Sequence, residues 1–99
     1  MFDIMECKTL NGLLKTMQNE GYKKVYHKLD TKEVNKNRDR VDKITLIFKN
    51  GEENNPNDTE EHNKVTIHAE IDVAEGYIKV TDVKIKRYIN KINKKMLDK

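Results

Sequence analysis

Apolar residues recur at helical spacing near the start of the chain and at strand spacing through most of the rest. In "TLNGLLKTMQNEGY", residues 9–22, Leu10, Leu13, Leu14 and Met17 step by three and four, which places them on one face of a helix. Thr9 is positioned to accept from the unpaired amides of the first turn, and Gly21 to close the last one. An earlier start is also open: Asp3 and Glu6 have the spacing of a capping box, and Ile4 and Cys7 would then extend the stripe.

Beyond Gly21 the period shortens to two. "YKKVYHKL", residues 22–29, mixes β-branched and aromatic residues with charges, as in a strand with one wet face. "DTKEVNKNRDRVD", residues 30–42, has two apolar positions in thirteen and predicts a loop. "KITLIFK" then sets Ile44, Leu46 and Phe48 on one face and Ile47 on the other. Asn-Gly, Asn-Pro and a crowd of carboxylates over 51–63 predict an exposed acidic loop, the segment where flexibility is expected.

"KVTIHAEI", residues 64–71, has the cleanest alternation: Val65, Ile67, Ala69 and Ile71 share a face, and Thr66, His68 and Glu70 share the other. After the turn "DVAEG", Ile78 and Val80 are in step, but Val83 and Ile85 are one position out. Either a bulge near Thr81-Asp82 restores the apolar face, or the strand stops and Asp82 caps a helix. A helix from Asp82 would set Lys84, Lys86 and Arg87 near its positive end, so the bulge is the better reading. The strand is then expected to reach about Lys86, followed by a short helix with Tyr88, Ile89, Ile92 and Met96 on one stripe.

The expected fold class is α+β: one two-layer domain over residues 1–99, with an N-terminal helix, an antiparallel meander of three or four strands and a short C-terminal helix. In element order this resembles double-stranded-RNA-binding domains and the bacterial ribonuclease toxins of the RelE type. No residue motif carries the resemblance.

Charge changes the picture more than composition does. The net charge of +3 is the sum of opposed blocks: +1 over residues 1–30, +3 over 31–50, −7 over 51–76 and +6 over 77–99. Such a layout can steer association with a charged partner or a second copy. Seventeen of the twenty cations are lysines and eleven residues are asparagines, a bias that an AT-rich genome produces without selection for binding. Lysines over an apolar stripe also have a structural explanation as a solvated helix face.

No catalytic set is legible. Cys7 has no histidine at a spacing that would activate it, and it reads as a small hydrophobe on the first helix. His27, His62 and His68 are too scattered to form a zinc set, and the acidic loop lacks the alternating register of a calcium loop. Gly12, Gly21, Gly51 and Gly76 stand singly, so there is no phosphate loop. Catalytic, metal and cofactor residues are therefore all expected to be none. A lone cysteine, no basic-then-apolar leader and no apolar run of about 20 residues predict a cytoplasmic protein without a membrane partner. The acceptor pattern Asn57-Asp58-Thr59 is discounted on the same ground.

What remains is a small non-enzymatic binding protein, expected to be a regulator or inhibitor of the phage or mobile-element kind. It would dock on a protein partner, either acidic or a nucleoprotein, through Lys84, Lys86, Arg87, Lys91, Lys94 and Lys95, or through a strand edge or face near Ile47 and Tyr26. The alternative is an RNA- or DNA-binding module using the same basic segment. A minor alternative is a RelE-like ribonuclease with Lys84, Arg87 and Tyr88 at the phosphate. A homodimer is compatible with each.

Overall fold

The computed structural model describes residues 4–36, 38–51 and 60–89. A short 3-10 turn (Ile4–Glu6) leads into helix α1 (Leu10–Asn19), followed by strands β1 (Lys23–Val34), β2 (Arg40–Lys49), β3 (Glu61–Asp72) and β4 (Tyr77–Ile89). The strands form one antiparallel sheet in the order β1-β2-β3-β4. This is the expected α+β meander.

Both expected caps of α1 are present. Thr9 is extended, and its hydroxyl accepts from the Gly12 amide at 3.0 Å. At the other end Gly21 takes φ 85°, its N–H donates to the Gln18 carbonyl, and the Tyr22 N–H reaches back to Met17 at 3.0 Å. These two bonds make a Schellman closure, and its usual apolar clasp is supplied by buried Tyr22 and Met17. The helix does not take the earlier start, because Cys7 and Lys8 lie outside it; Asp3, the expected capping residue, lies outside the described residues. Cys7 packs from that connecting segment, with its Sγ 3.8 Å from the Thr16 hydroxyl.

Leu13 and Met17 project onto one face of the sheet and close a core with Ile44, Leu46, Phe48, Val65, Ile67, Ala69, Ile78 and Val80. Ile4 and Tyr22 complete it. The 3-10 turn packs beside β4, where the Ile78 N–H donates to the Lys8 carbonyl at 2.8 Å and occupies part of that outer edge. A ten-residue helix is about 15 Å long and a thirteen-residue strand over 40 Å, so one helix cannot cover this face end to end.

Three expectations are corrected. Residues 30–42 are not a loop: β1 continues to Val34 and β2 begins at Arg40 around a turn in which the Asn35 side chain accepts from the Asp39 amide at 3.0 Å. Strand β1 lies at the sheet edge with every residue exposed, so its backbone ladder to β2 holds it without an apolar run. The acidic loop is shorter than expected, since Glu61, His62 and Asn63 belong to β3; residues 52–59 lie outside the described residues. Finally, Tyr88 and Ile89 are in β4 rather than in a C-terminal helix, because the strand stays paired to β3 as far as Glu61↔Ile89. The rest of that expected helix, residues 90–99, lies outside the described residues.

The expected bulge is present. His68 pairs with Asp82 and Ala69 with Val80, leaving Thr81 extra, with its hydroxyl donating to the His68 carbonyl at 3.0 Å. Val83 and Ile85 thereby return to the face of Ile67 and Val65, as the phase slip predicts.

Candidate functional site

Among the described residues, helix α1 covers one face of the sheet and no element packs on the other, the open face. In an antiparallel sheet, directly paired residues point the same way, so register alone gives the order of side chains on that open face. One row is Lys23, Lys49, Lys64 and Lys86, one lysine from each strand. Towards the middle of the sheet the next row is Tyr26, Ile47, Thr66 and Lys84, then Lys28, Thr45, His68 and Asp82, then Thr31, Lys43, Glu70 and Lys79. On the other side of the lysine row stand His62 and Tyr88, paired across β3 and β4.

Like charges directly opposite on a sheet repel. Strand spacing of about 4.8 Å puts the four lysine positions within about 14 Å of one another. The side chains of Lys23, Lys64 and Lys86 make no hydrogen bond or ion pair among the described residues, and Lys23 and Lys86 are exposed. The Lys49 ammonium stands 5.1 Å from the centre of the Tyr88 ring. The Tyr88 hydroxyl oxygen accepts from the Gly51 N–H at 3.1 Å, and its ring lies 5.8 Å from that of His62. On the far flank Tyr26 and Ile47 pair across β1 and β2, with Tyr26 44% exposed.

Farther along the face the character changes. Thr45 donates to Asp30 at 2.5 Å and lies 3.0 Å from His68 Nδ1. A hydroxyl has one proton, and here it goes to the carboxylate, so His68 must donate through Nδ1. That direction is opposite to a histidine activating a nucleophile, and the chain of bonds ties β1, β2 and β3 together. Asp30, Glu33, Lys43, His68 and Glu70 line a hollow of about 370 Å³ here. Lys43 pairs with Glu33 at 3.0 Å, and that carboxylate holds the ammonium pKa above its ordinary value. Arg40 is raised in the same way by its two bonds to Asp42, at 2.9 and 3.1 Å.

The expected docking residues are divided by this geometry. Lys84 and Lys86 are on the open face, but Arg87 points to the helix side and bonds Glu61 at 3.4 Å. Lys91, Lys94 and Lys95 lie outside the described residues. Lys84, Arg87 and Tyr88 are not brought to one face, which leaves the RelE-like set unassembled. Sequence reasoning missed Lys23, Lys49 and Lys64. Lys23 is second in its segment, Lys49 ends the next and Lys64 begins the third, and a register drawn between those segments could have found them. His62, expected in a loop, belongs to the same end of the face.

The chain matches no family model, no curated protein and no solved structure. Among the described residues no three His, Cys, Asp or Glu side chains gather as a metal set, and no helix is long and apolar enough to cross a membrane. The open face is therefore read from its own chemistry.

Proposed function

We propose that this chain is a non-enzymatic nucleic-acid-binding module that engages its partner through the open sheet face. The observation carrying this reading is the row Lys23, Lys49, Lys64 and Lys86, four cations held side by side by the strand register. Lysines that neutralise phosphates release counterions and supply sequence-independent affinity. Aromatic residues beside such a row offer bases a surface to stack on, and Tyr26 and Tyr88 flank it. Arginine forks that would read base edges are missing from the open face, so weak sequence preference is expected.

The test replaces Lys23, Lys64 and Lys86 with Glu and follows binding of mixed-sequence RNA and DNA by anisotropy in 50 mM salt. The wild type should bind in the micromolar range or tighter, and the triple variant should lose at least tenfold while keeping its circular dichroism. Absence of binding by the wild type overturns the reading. An acidic protein captured through the same three lysines would then restore the docking partner expected from the sequence.

A further inference from the structure

We infer that the open face selects single-stranded over double-stranded nucleic acid, with the strand crossing the sheet along the lysine row and its bases turned onto Tyr26 and Ile47. This rests on the nucleic-acid reading above and adds the form of the ligand. Phosphates spaced across the row would face Lys23, Lys49, Lys64 and Lys86. The neighbouring row, Tyr26, Ile47, Thr66 and Lys84, carries one charge instead of four and presents an exposed ring. A backbone on one row and bases on the next is the geometry of an unpaired strand on a sheet, where about two or three bases can stack.

The face offers no second cationic row to the other strand of a duplex, because farther along it lysines alternate with carboxylates. Asp82 is four residues before Lys86 on β4, about 14 Å away along the strand. The major groove separates the two backbones by about 12 Å. With one backbone on the lysine row, the other would fall on the row of Lys28, Thr45, His68 and Asp82, where Asp30 bonds Thr45 and two carboxylates face a single lysine. The Asp82 side chain is exposed and makes no hydrogen bond or ion pair among the described residues, so its charge faces an incoming phosphate directly. A duplex also keeps its bases inside the stack, beyond reach of Tyr26.

Two fluorescein-labelled probes test this with the full chain: a twelve-nucleotide oligo-dT strand and a twelve-base-pair DNA hairpin, titrated at 50 to 200 mM salt. The single strand should bind at least tenfold tighter. Its salt slope should be about −3 for four phosphates, or roughly 50-fold over that range. Tyr26→Ala should weaken single-strand binding by roughly 5- to 150-fold and leave the slope unchanged. Asp82→Asn should raise hairpin affinity and leave single-strand affinity alone. Equal or tighter hairpin binding, still lost on Lys64→Glu, would overturn the single-strand inference and keep the nucleic-acid reading. Binding of neither probe at 50 mM salt would overturn both.

Discussion

A Cβ on Gly51 would stand 2.6 Å from the His62 ring and 2.7 Å from the Tyr88 hydroxyl, so the absence of a side chain there holds the aromatic flank of the lysine row in place. Gly51→Ala must displace the His62 ring and the Tyr88 hydroxyl; it should cost about 1 kcal/mol, which lowers Tm by roughly 4–8 °C. Thermal unfolding and the Tyr88 ring resonances check this, and an unshifted Tyr88 would show that the contact does not position the ring. Lys43 offers a pH test. Its pKa is raised by the hydrogen bond and charge of Glu33, so the pair's contribution is complete below the ordinary lysine value and is lost as pH rises through the higher folded value. NMR titration of the Lys43 side chain should therefore place its midpoint above that of an exposed lysine, and Glu33→Gln should bring it down. Thr9 and Gly21 were legible in the sequence because a cap is a local decision of three or four residues. The bond between Gly51 and Tyr88 spans 37 positions, and no local pattern announces it.

At the scale of elements, the phase of β4 was readable and its length was not. Ile78 and Val80 against Val83 and Ile85 required one extra residue, and Thr81 is that residue. Deleting Thr81 would turn one of the two apolar pairs onto the open face, and Ile78 and Val80 are 6% and 4% exposed in the native sheet. The deletion should abolish the cooperative thermal transition or lower Tm by more than 15 °C, the effect of at least about 2–4 kcal/mol in a domain of this size. A deletion variant with native Tm and amide dispersion would mean that the register absorbs the loss elsewhere. Strand ends hid for a different reason. Beyond Leu29 the continuation of β1 has Val34 as its one apolar residue, and Tyr88-Ile89 has the spacing of a helical stripe as well as of a strand. In both places the ladder to a neighbouring strand decides the structure, and a ladder cannot be seen in one segment read alone.

At the scale of the whole molecule, folding regroups charge that sequence blocks obscure. Lys64 is the one cation of the block that carries −7, yet the register sets it between Lys49 and Lys86. The two-layer class was legible from the periods of the apolar residues, whereas the candidate face was not, because each of its four central lysines comes from a different strand. Holding them together has a cost in the unliganded protein: adjacent like charges on a sheet oppose folding by about 0.2–1 kcal/mol per pair. Lys64 has such a neighbour on each side, so Lys64→Gln should raise Tm by a few degrees at low ionic strength. Near 1 M salt the screening length falls to about 3 Å and the two proteins should converge. The same substitution should weaken nucleic-acid binding at low salt, because the repulsion that destabilises the free face is what a polyanion relieves. Differential scanning calorimetry across a salt series separates this from a packing role: a variant less stable than wild type at every salt concentration would make Lys64 a structural residue, and the row would lose its meaning as a stored charge.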